Sequence, residues 1–420
     1  MKKRGAVALL ALSLGGCGVS GSPGGMLRSA AEGATFDAQA VPGEAIVHVK
    51  AGARLTAPYS VAETLDFGED GKFMLVKTAP GQIGALSQAL SGNPDVLGVS
   101  PNKRVKLVVP AAQPGLPERV VPASNDPLYG QQWYLPRVGA DKAWGASKGK
   151  GVLAAIVDTG IDYDHPDLKA NIADKGKSFV GGKDGKDLFG HGTHVAGTVA
   201  AAFNNGQGVA GVAPEAALLP VTVLGADGSG SLFGIAGGIK FAADWGAERK
   251  FKTVINLSLG GPAAADPIST AAGWYATRKG ALLVAATGND NGPVGTPARI
   301  TKYFMAVSAT NQSDTKASFS NFGPEVAIGA PGVDIMNTTP TYKVPLNDHG
   351  YALNYASLRG TSMATPVVAG VAALLWAKNP QLTNVQVREK LEKTAKDLGT
   401  PGKDVQFGNG LVQAAAALGL

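Results

Sequence analysis

Cysteine is nearly absent from this 420-residue chain, which contains one, Cys17. A single thiol excludes intrachain disulfides and zinc sites built on cysteine. Basic blocks and stripes are missing too. The formal net charge of +6 is spread thinly, so nothing favours a nucleic-acid partner. Charged residues are only 17% of the chain and hydrophobic residues 45%, which excludes a disordered protein. No internal repeat is found. The apolar runs Ala6–Leu14 and Val367–Ala377 are each too short to span a bilayer, and the second reads as a buried core helix.

What is present is glycine, 58 residues of it, which points to many tight turns and close backbone approaches. Lys2, Lys3 and Arg4 precede the short apolar run, the pattern of an export signal. Leu14-Gly15-Gly16-Cys17 resembles a bacterial lipoprotein box, with the only cysteine at the position that would be lipidated. An exported chain without disulfides needs another staple, such as a bound metal or a large core. Residues 1–17 are therefore read as an export signal with lipobox, and the Gly/Ser/Ala-rich residues 18–42 as a tether.

From Gly43 to Val109 the pattern is that of a small α+β unit. Ala45–Lys50 and Lys72–Lys77 alternate like strands, Gly81–Ser91 fits a one-faced helix, and Val96–Val99 and Val105–Val109 read as two further strands. Residues 110–124 follow, with four prolines between Pro110 and Pro122, an extended linker open to proteolysis. From Asn125 to Leu420 apolar runs of strand length (Val152–Val157, Ala217–Leu224, Val254–Leu259, Ala281–Ala286, Phe304–Ala309, Val326–Ile328) alternate with helical stretches (His191–Ala202, Leu232–Arg249, Ala264–Lys279, Thr361–Lys378, Val385–Lys396). This predicts an α/β fold with a doubly wound, mostly parallel sheet, whose ligands bind beyond the carboxyl ends of the strands.

Three polar residues stand at such ends. Asp158 follows a buried strand, His191 opens a helix between glycines, and Ser362 opens another, where free N–H groups favour a nearby anion. An acid, an imidazole and a hydroxyl suggest nucleophilic catalysis: the histidine takes the serine proton and the acid holds the histidine. Each motif alone is weak. Asp158 would otherwise cap a turn, and His194 rivals His191 as the base. A His191/His194 zinc site lacks a third ligand of suitable spacing.

Ala155-Ile-Val-Asp158-Thr-Gly-Ile-Asp162, His191-Gly-Thr-His-Val-Ala-Gly197 and Gly360-Thr-Ser-Met-Ala-Thr-Pro366 together resemble the subtilisin-like serine proteases, and the thermitase-like bacterial ones in particular. The likeness runs from about Asn125 to the last residue. It implies Asp158, His191 and Ser362 as the triad and Asn289 as the oxyanion-hole donor. It implies Gly228, Ser229 and Gly230 with Ser258, Leu259 and Gly260 as the segments flanking a bound peptide. Gly295 falls at the base of the primary pocket, where a glycine leaves room for a large side chain. It implies calcium held by Asp126, Asp167, the Asn205 and Gln207 side chains and the carbonyls of Ala202 and Val209, an all-oxygen set. A second such site is doubtful, since Ser178, Gly181 and Lys183 replace acidic ligands there and leave only Asp184 and Asp187. Residues 43–109 would then be an inhibitory propeptide that assists folding and blocks the cleft with its last strand. The chain is expected to be a secreted monomeric endopeptidase acting on proteins and peptides, made as a self-processing zymogen and anchored through Cys17 until it is cut.

Three other readings remain at this point. Asp158-Thr159-Gly160 is also an aspartic-protease signature, but only one copy exists, so a homodimer would be required. An α/β-hydrolase serine at Ser362 would need the triad in the opposite order. A catalytically dead binding protein would not need all four site residues.

Overall fold

The computed structural model describes residues 40–55, 59–107, 124–261, 263–264 and 266–420; Cys17 and residues 108–123 lie outside these. Residues 38–420 form one compact unit. Its first part holds strands β1 (Ala40–Val49), β2 (Ser60–Asp66) and β3 (Lys72–Lys77), helix α1 (Ile83–Leu90) and strand β4 (Val96–Lys106). The two strands expected over Val96–Val99 and Val105–Val109 are one: Pro101 interrupts the local pattern, but the strand passes through it, opposite Ala45 of β1. The strand β2 was not foreseen. It carries Ser60-Val-Ala-Glu-Thr-Leu-Asp66, exposed at every residue but Leu65, so it has no apolar period to read.

Two short helices, α2 (Tyr134–Arg137) and α3 (Ala140–Ala143), lead into the second part. There β5 (Val152–Asp158), β6 (Lys177–Ser178), α4 (His191–Ala200), β7 (Ala217–Thr222), β8 (Ser229–Ser231), α5 (Leu232–Glu248), β9 (Lys252–Leu257), α6 (Pro267–Arg278), β10 (Leu282–Ala286), β11 (Phe304–Thr310) and β12 (Val326–Pro331) follow in turn. Next come a hairpin of β13 (Ile335–Thr338) and β14 (Tyr355–Leu358), then α7 (Thr361–Lys378), α8 (Asn384–Lys393) and α9 (Ala414–Leu418).

Seven strands form one sheet in the order β12-β11-β10-β9-β5-β7-β6, and every pairing in it is parallel. Helices cover both faces, so its central strands have two inward faces; all seven residues of β5 and of β11 are buried. That is why these strands read as unbroken apolar runs. One core cluster lies on each side, with Ala154 and Ile156 facing one and Ala155 and Val157 the other. Helix α7 has a length and hydropathy that would suit a membrane crossing, but 89% of that stretch is buried inside the protein.

The second sheet runs β2-β3-β1-β4-β8 and is antiparallel. Its first four strands come from the N-terminal part. Its edge, β8, belongs to the parallel part and sits just beyond the carboxyl end of β7. The N-terminal part is thereby stitched onto the rim where sheet topology places a site.

Candidate active site

Asp158 is the last residue of β5 and His191 the first of α4. Two glycines let these segments meet: a Cβ on Gly192 would lie 2.1 Å from the Gly160 carbonyl oxygen, and Gly160 itself has a φ of +108°. The imidazole Nδ1 of His191 lies 2.8 Å from Asp158 Oδ1, with both side chains buried. The Thr159 N–H donates to the same oxygen at 2.7 Å. Burial alone would depress the His191 pKa, but the Asp158 charge and hydrogen bond, helped by Asp187, outweigh it and hold it above the ordinary value.

His194 sits one turn on and faces the core. Its Nε2 lies 2.9 Å from the Ile335 carbonyl and 3.2 Å from that of Ala356, and burial lowers its pKa to about 3. A ring held neutral against two carbonyls, away from Asp158, is a structural one.

Ser362 is the second residue of α7 and 7% exposed. Pro366 explains part of its setting. A helix would pair the Ser362 carbonyl with the N–H four residues on, which proline lacks. The Ser258 hydroxyl donates to that carbonyl instead, at 2.7 Å, and is itself approached by Asn256 Nδ2 at 2.9 Å. In return the Ser362 hydroxyl donates to the Ser258 carbonyl at 3.0 Å. Beside it, Asn289 Oδ1 accepts the N–H and hydroxyl of Thr361 at 2.8 and 3.0 Å. This fixes the carboxamide by its oxygen, with Nδ2 as its donor end. Ser362 and Asn289 share a cavity of about 370 Å³ with Leu259, Gly260 and Gly295. A Cβ on Gly295 would lie 2.5 Å from the Gly261 carbonyl, so the pocket floor accepts no larger residue without moving backbone.

The cleft is occupied by the chain itself. Arg104, Val105 and Lys106 of β4 pair antiparallel with Ser231, Gly230 and Ser229, and the Leu107 N–H donates to the Gly228 carbonyl at 2.9 Å. Arg104 to Leu107 line the same cavity as Ser362. Val105 is 3% exposed and joins the core cluster of Leu259 and Phe233.

Asp126 and Asp167 converge on the loop 204–209. Asp126 accepts the N–H groups of Asn204, Asn205 and Gly206, while Asp167 accepts those of Val209 and the Asn205 side chain. The Ala202 N–H donates to the Asp167 carbonyl. Gln207 is exposed and reaches Asn205 Oδ1 through its N–H. The candidate ligands are thus brought to one loop, and the donors are oxygen throughout, two of them nearly fully buried carboxylates. The four carboxylate oxygens already accept donors of the protein, Asn205 turns Nδ2 to Asp167 and Oδ1 to the Gln207 N–H, and among the described residues no group of three or more His, Cys, Asp or Glu is placed to hold a metal ion. The weaker second site is not assembled: Asp187 accepts from Thr159, Phe189, Gly190 and both donors of Thr193, while Asp184 accepts from Tyr163 and Lys186.

Sequence reasoning missed Thr361, Ser258 and Asn256 as the groups that hold Asn289 and Ser362, and Asn321, which ties Asp290, Gly292, Thr287 and Pro293 behind the pocket. Thr361 and Ser258 lay inside segments already singled out. Asn256 carried one faint signal, a carboxamide inside a buried strand, whereas Asn321 lies in the loop between β11 and β12 and carried none.

Comparison with known proteins agrees with this geometry. Residues 149–410 match the model of the subtilase family. Subtilisin Savinase of Lederbergia lenta is 47% identical over 288 residues, 68% of this chain and 97% of that protein. M-protease of Shouchella clausii (strain KSM-K16) is also 47% identical over 288 residues, covering 69% of its own length. Thermitase of Thermoactinomyces vulgaris is 40% identical over 302 residues, 70% of this chain and 98% of that one. The chain belongs to the subtilase family and is a subtilisin-type serine endopeptidase.

Proposed function

We propose that peptide bonds are cut by a triad of Ser362, His191 and Asp158, with Asn289 Nδ2 and the Ser362 N–H binding the oxyanion. The observation that carries this reading is the 2.8 Å contact of His191 Nδ1 with Asp158 Oδ1, together with the one cavity that Ser362 and Asn289 line. The Ser362 hydroxyl turns from the Ser258 carbonyl to His191, whose Nε2 takes its proton as Oγ attacks the substrate carbonyl. Asp158 keeps Nδ1 protonated and stabilises the imidazolium. The leaving amine takes the proton back, and water repeats the sequence on the acyl-enzyme. The open pocket floor at Gly295 suits a large or apolar side chain before the bond cut.

Residues 43–109 act as an inhibitory propeptide, since Arg104–Leu107 lie as a substrate strand would, main chain to main chain. The protein is a zymogen that cuts itself on the far side of Leu107 and is active as a monomer of roughly 296 residues, 125–420. Asp126, Asp167, Asn205 and the carbonyls of the same loop would hold the structural calcium ion that the family implies, by exchanging their present N–H partners for the ion. The export signal takes the chain out of the cell, and Cys17 anchors the precursor. Because that anchor lies before the linker and the catalytic residues after it, the cut releases the enzyme to the medium.

Ser362→Ala tests the mechanism and the maturation together. It removes the nucleophile with little change in packing. We expect full-length, folded precursor, no casein hydrolysis, and retention in the membrane fraction. Casein cleavage at the wild-type rate would sink the triad. Intact precursor found free in the medium would sink the anchor.

A further inference from the structure

The hairpin of β13 and β14 pairs Thr338 with Tyr355, which leaves residues 339–354 as its loop. Sixteen residues is far beyond the two to five usual for a hairpin, and loops of such length often carry function. This one is not loose. Leu346 is fully buried, and Val344 and Tyr351 nearly so. Both donors of Thr341 reach the buried Asp162 Oδ2, at 2.9 and 2.8 Å. The Tyr342 hydroxyl donates to the Asp187 carbonyl at 2.8 Å, and the Leu346 N–H to the Phe189 carbonyl at 3.0 Å.

Two of these anchors, Asp187 and Phe189, fall on the turn that delivers His191; the third, Asp162, follows β5 and donates its own N–H to Thr193 Oγ1, two residues beyond His191. The fit is close: a Cβ on Gly190 would lie 2.8 Å from Leu346 Cβ. Phe189 is 6% exposed, with His349 of the loop beside its ring at 6.3 Å between centroids. The Cε2 edge of the ring lies toward Gly228, whose carbonyl accepts the Leu107 N–H. A Cβ on Gly228 would lie 3.4 Å from Phe189 Cε2 and 3.6 Å from Leu107 Cβ, and Leu107 packs against the core cluster that holds Phe189.

We propose that the loop 339–354 is a specificity strap. It fixes Phe189 as one wall of the pocket that holds Leu107, and so makes the enzyme select a leucine-sized apolar side chain at the substrate position Leu107 occupies. This rests on the reading above that Arg104–Leu107 lie as a substrate lies. A ring clamped on one side by the strap cannot retreat for a bulkier residue, and it offers no partner to a charged one.

The test is a peptide library randomised at each position before the cut, digested by the mature enzyme, with rates normalised to sites titrated by a fluorophosphonate. Wild type should favour leucine over glycine at one of these positions. Phe189→Ala should reduce that preference about tenfold, as losing a hydrophobic wall does, and leave the other positions unchanged. Thr341→Val and Tyr342→Phe, which touch only the strap's anchors, should shift the same position in the same direction by less. A Phe189→Ala profile equal to wild type overturns the pocket. A changed Phe189→Ala profile with both anchor variants unchanged overturns the strap. Should wild type cut no peptide at all, the protease reading fails first.

Discussion

The two sheets of this molecule bury their strands very differently. In the parallel sheet every residue of β5, β10, β11 and β12 is buried, whereas β2 keeps one residue of seven buried and β4 two of eleven. The parallel sheet is covered on both faces by its own helices, and one of its two core clusters also takes in Ile46, Leu65, Phe67, Phe73 and Val105 of the N-terminal part. The antiparallel sheet has only α1 of its own, and its Phe67, Phe73 and Val105 complete their burial in the core cluster of the catalytic part. Phe67 also stands edge-on to Tyr275. A layer that is stable chiefly when docked is suited to leave once it is cut, while the part with the chemistry stays folded.

The largest effect that would sharpen this contrast lies in the parallel part. Asn289→Leu keeps the volume and removes the donor. The loss in kcat should be about 10²–10³, the magnitude known for removing this donor in a subtilisin relative, with KM little changed. A change confined to KM would move Asn289 out of the oxyanion role.

Next comes the docked layer. Val105→Asp places a charge in an apolar site, at a cost of several kcal/mol. In the uncut Ser362→Ala background this variant should open residues 40–107 to added trypsin, while 125–420 stay resistant. Equal resistance of both parts would show that the antiparallel layer holds itself together, and would break the comparison.

Acid should strain both parts in the same direction. Burial lowers the pKa of His194 in the parallel part, to about 3, and that of His48 in the other part, where the ring stacks on Phe73 and bonds the Asp70 carbonyl. The unfolded chain binds these protons near pH 6.5, before the folded one does. The stability they confer is complete above that pH and is lost as the pH falls; for His194 the window runs from 6.5 down to about 3. Urea unfolding of Ser362→Ala should lose about 1.4 kcal/mol per pH unit between pH 6.5 and 4 for the His194 proton, with His48 adding a loss of the same sign. His194→Gln should remove one proton from that slope. In the active enzyme the acid limb of kcat/KM should lie above the ordinary histidine value, because Asp158 and Asp187 raise His191. A limb below pH 6 would contradict the geometry.

Chelation is expected to act least, and on the parallel part alone, since Asp126, Asp167 and their loop touch only that part. A cation at one hundred times its Kd adds about 3 kcal/mol. EDTA should lower the Tm of the mature enzyme by several degrees, and Asp167→Asn should mimic it. An identical Tm with calcium and with EDTA would remove the ion.

The long strands and helices of the parallel part were legible because burial on two faces forces unbroken apolar runs, and the ends of those runs pointed to Asp158, His191 and Ser362. Boundaries moved by a residue or a few: the helix expected from Ala264 starts at Pro267, where Asp266 caps it by accepting the Ser269 N–H. The strand β8, Ser229-Gly230-Ser231, has no side-chain pattern at all and exists because its backbone finds β4.

By itself the sequence determined the class of fold, the family and the three residues placed to do chemistry, because each of these rests on local pattern and motif. Only the tertiary structure decided that Ser258 takes over the carbonyl freed by Pro366, that Thr361 fixes Asn289, that Asp187 is spent on the His191 turn, and that residues 339–354 strap Phe189 against the cleft. The physical reason is distance along the chain. The Ser258–Ser362 bonds span 104 residues and the Thr341–Asp162 bonds 179, and no periodicity encodes a hydrogen bond across such a gap.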